Sequence, residues 1–304
     1  MTAILDRTVG ALHTGGSIGE ALTPLITALD AHRAGMRREE WRDWAEELRA
    51  RPACATLLED PFAHHSATRP RGYPGDAELL DFIYRSPNVQ PRVATATALG
   101  RRLYQYSTET PAPEAVRLRS MLAAAEIDRC AARGRRPHVL SVACGHLREA
   151  PGVRSLAAGT LGRYVGVDQD KQSLDLVRRE YGPLGVEALE CPVKKIIRCG
   201  DMLGSFDFIY VLGLYDYLSD ETGNRLLKRL FGMLNRGGKV WIANFTGDPW
   251  AVGYMEAVMD WWLIYRSPEQ VEAFRSALPQ EAVESAEVFL DPTGNVAFLE
   301  VVKK

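Results

Sequence analysis

A lone glycine, Gly145, ends the strand-like run HVLSVAC (138–144), and the charged pair Arg148 and Glu149 follows at once. Glycine has no Cβ, so a ligand can approach the backbone closely there. Asp168 stands at the end of the next apolar run, RYVGVD (163–168). An acid in that position accepts hydrogen bonds from both hydroxyls of a ribose. Turn and acid together point to a nucleoside ligand. The plainer alternatives are an ordinary strand–helix turn and an acid that caps the following helix, a role open to Asp170 as well. A third cluster, Gly213, Leu214, Tyr215, Asp216 and Tyr217, follows the apolar run FDFIYVL. There the Tyr215 ring could flank a cation and Asp216 could orient a polar group, while Tyr217 suits core packing.

The turn discriminates between nucleoside cofactors. A pyrophosphate calls for several glycines and a helix N-terminus with bare amides. CGHLREA offers one glycine, and Glu149 repels a diphosphate. S-adenosylmethionine carries no phosphate but a zwitterionic amino acid tail, which Arg148 and Glu149 can satisfy by charge-assisted hydrogen bonds. S-adenosylmethionine is therefore the expected cofactor and NAD is disfavoured. The competing role for the pair is a solvated Arg–Glu contact on a first helix turn.

These residues need a sheet to hold them. From His138 onward the runs HVLSVA, RYVGVD, FDFIYVLG, KVWIANF, ESAEVFLD and NVAFLEVVKK read as strands, several of them continuous apolar stretches typical of a buried parallel sheet. Helical patterns separate them: KQSLDLVRREYG, ETGNRLLKRLFGMLN, WAVGYMEAVMDWWLIY and SPEQVEAFRSAL, the last opened by a Ser267–Gln270 capping box. Alternating strands and helices predict a doubly wound α/β domain, whose ligands bind beyond the carboxyl ends of the strands. DPTGN (291–295) turns the last two strands into a hairpin and makes the final strand antiparallel. Residues 1–118 read as helices only and form a predicted cap; residues 119–304 form the predicted cofactor-binding domain.

The segments SVACGHLREA, YVGVDQD, FDFIYVLGLYDYL and MLNRGGKVWIANF resemble the motifs of class I S-adenosylmethionine-dependent methyltransferases. RPRGYPGDAELLDFIY (69–84), with ACGHLREA and GLYDYL, further resembles the bacterial group identified with hydroxypalmitic acid methyl ester biosynthesis. That resemblance covers roughly residues 55–304 and implies a seven-stranded Rossmann-like sheet. Position by position it implies cofactor contacts from Ala143, Gly145, Arg148, Glu149, Asp168, Gln169, Val193, Lys194 and Gly213. It also implies that RPRGYPGD folds over the cofactor, with Asp76 beside it and Tyr73, Tyr215 and Asp216 nearest the chemistry.

A carboxylate acceptor is ionised at neutral pH and requires cations to hold it; Arg69, Arg71, Arg101 and Arg102 are candidates. An amine or guanidinium acceptor must lose a proton and would be oriented by acids, such as Glu256 and Asp260 on one face of the predicted helix 250–265. The aromatics Trp261 and Tyr265, with Tyr106 and Asn244, complete the expected substrate wall. O-methylation of a carboxylic acid metabolite is the first expectation and N-methylation of an amino or guanidino compound the second. A non-catalytic cofactor-binding module is the remote third.

Bulk properties narrow the field. A 304-residue chain with 46% hydrophobic residues can bury a substantial core, and a net charge of -2 gives no reason to expect nucleic acid as a partner. Neither a signal peptide nor a bilayer-spanning run is legible, so a cytoplasmic protein with no membrane partner is expected. Five cysteines without a CxxC pair argue against disulfides and structural zinc, and no metal is expected. The helical N-terminal region could serve as a cap, a homodimer surface or both.

Overall fold

The computed structural model describes residues 1–247 and 250–304. Two compact units are present: Met1–Glu114 with Asp248–Trp262, and Ala115–Gly247 with Leu263–Lys304. The boundary falls inside the helix Pro111–Ala132, four residues before the boundary read from the sequence. The segment predicted as one helix over 250–265 is divided between the units after Trp262 rather than belonging wholly to the sheet domain; residues 248 and 249 lie outside the described residues.

In the described residues the first unit is helical, and its helices start where side chains supply the missing backbone acceptors. Ser17 accepts the Glu20 N–H, Asp60 the Phe62 N–H, Asp76 the Leu79 N–H and Thr97 the Gly100 N–H. Leu22, Leu25, Ile26 and Leu29 of the helix Ile18–Ala34 are buried at helical spacing. The helix predicted over 250–265 is shorter, Val252–Ala257. Its start is fixed by Asp30, whose carboxylate accepts the N–H groups of Ala251 and Gly253 at 3.2 and 2.6 Å. It ends because Asp260 adopts a left-handed conformation (φ 51) and the Trp261 N–H turns back to the Met255 carbonyl.

The second unit is built on seven strands: β1 (His138–Val142), β2 (Arg163–Asp168), β3 (Val186–Glu190), β4 (Phe206–Val211), β5 (Leu234–Phe245), β6 (Val283–Leu290) and β7 (Val296–Lys303). Their order is β3-β2-β1-β4-β5-β7-β6. The first five run parallel, and β7 pairs antiparallel with both β5 and β6. This is a Rossmann-like α/β sheet with an antiparallel end. β1, β2 and β4 are buried along nearly their whole length, as continuous apolar runs require. β3 escaped the sequence reading because it is an edge strand: VEALE alternates buried and exposed positions instead of forming an apolar run. The chain leaves β1 toward β2 and β3 on one side, whereas β4 and β5 lie on the other. The topological switch point therefore falls between β1 and β4, where open α/β sheets bind ligands.

Candidate functional site

The turn after β1 is a tight, partly left-handed coil. Ala143, Gly145 and Leu147 have φ of 53, 52 and 51, and the Leu147 N–H bonds the Cys144 carbonyl at 2.8 Å. A left-handed alanine costs about 1–2 kcal/mol, so neighbouring contacts must hold the turn. The Cys144 N–H bonds the Val167 carbonyl at 3.0 Å. Its side chain packs on β2 at Gly166, where a Cβ would lie only 3.0 Å from Sγ. Asp168, at the end of β2, accepts the Gly145 N–H at 2.8 Å and the Asp170 N–H at 2.9 Å, one on each carboxylate oxygen. Burial pushes the Asp168 carboxyl up, against these backbone hydrogen bonds. Each oxygen keeps acceptor capacity for a ligand hydroxyl. Asp170 caps the next helix, Lys171–Tyr181, which leaves Asp168 at the turn.

The rest of this rim comes from neighbouring strand ends. Gln169 is exposed beside Asp168. The Cys191 N–H bonds the Asp168 carbonyl at 2.9 Å, which brings the end of β3 alongside and sets partly buried Val193 and exposed Lys194 at the start of the helix Val193–Cys199.

The Arg148–Glu149 pair separates. Arg148 reaches Glu180 at 2.8 Å and Tyr181 at 3.4 Å on the helix Lys171–Tyr181. Glu149 is buried and accepts hydrogen bonds from the Tyr210 hydroxyl at 2.5 Å and the Ser141 hydroxyl at 3.4 Å. Tyr210 also contacts the Tyr164 hydroxyl at 2.6 Å. Burial pushes the Glu149 carboxyl up; the hydroxyl contacts and the charge of Arg119 oppose the shift. The expected joint clamp on a zwitterion is thus not built from these two residues.

The group beyond β4 also differs from expectation. Tyr215 is fully buried, donates its hydroxyl to the Gly223 carbonyl at 3.0 Å and packs edge-on against Phe274 at 5.3 Å. Burial drives its phenol well upward, so it is a packing residue rather than one facing the chemistry. Asp216 is buried, and its carboxylate accepts the Phe245 N–H at 2.7 Å. Burial pushes this acid up to about 6, against the charge of Arg119 and the Phe245 hydrogen bond. Asn244 does not wall a substrate pocket. Its amide donates to the carbonyls of Phe245 and Ile264 and its oxygen accepts from Arg266 at 2.6 Å. Tyr265, in the same unit, is half-buried.

Sequence reasoning missed Arg119. It lies on the helix Pro111–Ala132, is only 4% exposed, and its Nε has no acceptor among the described residues. Its guanidinium lies against Gly213, where a Cβ would be 3.0 Å from Nη2, and 5.8 Å from the Phe245 ring. Glu126, seven residues on and so on the same helix face, pairs with Lys239 of β5 at 2.5 Å; Lys239 also pairs with Glu300 of β7 at 2.8 Å. These ion pairs fix the helix on the sheet and aim Arg119 at the switch point. The signal was present in the sequence: both charges fall on the stripe formed by Ala115, Val116, Ala123 and Ile127, all buried.

The remaining predicted site residues belong to the first unit. Asp76 caps the helix Ala77–Tyr84 and accepts from His65 Nε2 at 3.0 Å. Arg92 donates to His65 Nδ1 at 2.9 Å, so Nε2 must carry the ring proton. Burial pushes the Asp76 carboxyl up, but the His65 and Leu79 hydrogen bonds outweigh it and the net shift is downward. Tyr73 is partly exposed in the turn between Gly72 and Gly75, both at positive φ. Arg71 pairs with Glu78 at 3.6 Å. Tyr106 is half-buried, and its ring would meet a Cβ at Gly19.

The proposed acid clamp is closed by arginines of the unit itself. Glu256 accepts from Arg33 at 2.6 Å and Trp41 at 2.8 Å, while Asp260 pairs with Arg69 and with Arg49 at 3.3 Å. Asp260 lies beyond the helix end, so the two acids do not share a helix face. Trp261 is buried edge-on to Phe62 at 6.2 Å. These contacts commit Arg69, Glu256, Asp260 and Trp261 to holding the helical unit together.

Residues 140–242, from β1 into β5, match a family described as "Methyltransferase domain". The chain carries a methyltransferase domain. A protein from Bordetella parapertussis, described as a possible exported protein, shares the fold at 17% identity and a TM-score of 0.52, over 83% of this chain and 97% of its own. Magnesium protoporphyrin IX methyltransferase from Synechocystis PCC 6803, solved with bound SAH, aligns at 9% identity and a TM-score of 0.47, over 74% and 97% of the two chains. No curated protein sequence matches. S-adenosylmethionine is the cofactor, and it supplies an activated methyl group on a sulfonium. The residues present fit it: a one-glycine turn, an acid with spare acceptor capacity beside it, and a buried arginine whose Nε has no acceptor among the described residues. No helix among the described residues is long and apolar enough to cross a membrane.

Proposed function

We propose that this methyltransferase esterifies the carboxylate of a small metabolite. The observation that carries the reading is the commitment of Tyr215: its hydroxyl is bound to Gly223 and its phenol is driven upward by burial. One of the three side chains expected nearest the chemistry is therefore held as a donor inside the protein. An acceptor that is already ionised requires no proton removal, and in-line displacement then depends on positioning. The resemblance to the hydroxypalmitic acid methyl ester group supports the same acceptor class. Under this reading Gly145 and Asp168 hold the nucleoside, with Gln169, Val193 and Lys194 along its rim, and Asp216 stands beyond β4 on the side where the acceptor meets the methyl group. N-methylation draws no support from Glu256 and Asp260, whose carboxylates are occupied by arginines.

Incubation with methyl-labelled cofactor and a panel of carboxylic acids and amines tests this. The expected product carries label that mild base releases. Label that survives base on an amine panel member would replace the ester reading with the N-methyl one.

A further inference from the structure

Two buried arginines stand at the carboxyl ends of β4 and β5, and they differ in one respect. Arg266, 3% exposed, is saturated: it donates to the carbonyls of Tyr215 and Leu218, to Asn244 Oδ1 and to the Asp220 carboxylate, at 2.6–3.0 Å. Arg119, 4% exposed, has no acceptor at Nε among the described residues and pairs there with no carboxylate. A buried donor left without an acceptor is costly, so the unfilled Nε of Arg119 is matched to something that arrives.

We propose that Arg119 is the receptor for the α-carboxylate of S-adenosylmethionine. The guanidinium lies at the switch point, against Gly213 beyond β4 and near Phe245 at the end of β5. Gly213 makes room for it, since a side chain at that position would press on Nη2. A guanidinium presents paired N–H donors in the plane that a carboxylate matches. The cofactor brings one carboxylate, on its amino acid tail. Arg148, the cation the sequence suggested for this task, is instead engaged by Glu180 and Tyr181. Arg119 is also electrostatically coupled to the buried acids Glu149 and Asp216, both of whose carboxyls it draws down. A purely structural alternative follows from that coupling: Arg119 would be there to balance those two acids.

The inference rests on the cofactor assignment, and calorimetry separates the two. Wild-type protein is titrated with S-adenosylhomocysteine and with its decarboxylated analogue, then compared with Arg119→Met and Arg119→Lys. We expect wild type to favour S-adenosylhomocysteine by about 10- to 100-fold, the range of a charge-assisted hydrogen-bonded pair. In Arg119→Met that preference disappears, because S-adenosylhomocysteine weakens while the analogue binds as before; Arg119→Lys keeps part of it. The ligand-free Arg119→Met protein melts at or above the wild-type temperature. Equal losses for both ligands, unchanged binding of S-adenosylhomocysteine, or a large drop in the ligand-free melting temperature would each overturn the proposal. Wild type binding neither ligand would overturn the cofactor assignment itself, and the proposal with it.

Discussion

At Asp168 one carboxylate oxygen accepts the Gly145 N–H and the other the Asp170 N–H, so the acid proposed to face the nucleoside also pins the turn beneath it. Asp168→Ala removes both functions, and S-adenosylhomocysteine binding should weaken by about 1–3 kcal/mol; unchanged affinity in calorimetry would take Asp168 out of the site. Asp216 makes a different kind of prediction. Its carboxyl titrates near about 6 in the folded protein because burial disfavours the anion, whereas an unfolded chain ionises it near pH 4. Below both values the group is neutral in both states and costs nothing. As pH rises from about 4 to 6 the unfolded chain loses this proton first, so stability falls. Above 6 the loss is complete and constant. Asp216→Asn still offers an oxygen to the Phe245 N–H and removes the titration. Urea unfolding of the ligand-free protein should show the variant gaining on wild type across that window and keeping its advantage above it; a constant difference between pH 4 and 7 would refute the assignment.

Between elements, the connection after β4 is held by Arg266, which reaches back from beyond β5. It ties the Tyr215 and Leu218 carbonyls and Asn244 to the N-terminus of the helix Asp220–Gly232 through Asp220. Arg266→Met leaves those buried acceptors without donors and should destabilise the sheet unit by about 3–5 kcal/mol in urea denaturation; a loss below about 1 kcal/mol would show that the clamp is dispensable. The same interlock explains why Tyr215 and Asn244 read as functional in the sequence. An aromatic and an amide at strand ends sit where ligands bind, and only their later partners, the Gly223 carbonyl for the Tyr215 hydroxyl and Arg266 for the Asn244 oxygen, show that these polar atoms are already taken. Strand runs are legible because a buried parallel strand needs no partner to look apolar. β3 was hidden because an edge strand has an exposed face, and the helix at 252–257 was overextended because its end depends on a left-handed Asp260 that periodicity cannot show.

For the molecule as a whole, the placement of Gly145, Asp168, Gln169, Val193 and Lys194 at neighbouring strand ends was legible because these residues follow one another along consecutive strands. What was not readable lies in pairings across long sequence separations. Arg33 with Glu256 and Arg69 with Asp260 turn apparent substrate contacts into internal ion pairs, and Arg119 reaches the site from a helix that precedes β1. Charge on an apolar helical stripe is the sequence sign of such a residue. The strand order carries one further consequence, for synthesis rather than for chemistry. β7 lies between β5 and β6 although it follows both in the chain. A nascent chain that has emerged only to residue 295 has made β6 but has nowhere to pair it, and the outer edge of β5, with its buried run from Lys239 to Phe245, is still open. Unpaired apolar edges recruit other chains. The sheet therefore cannot be completed until the Val296–Lys303 segment is available to pair with both strands.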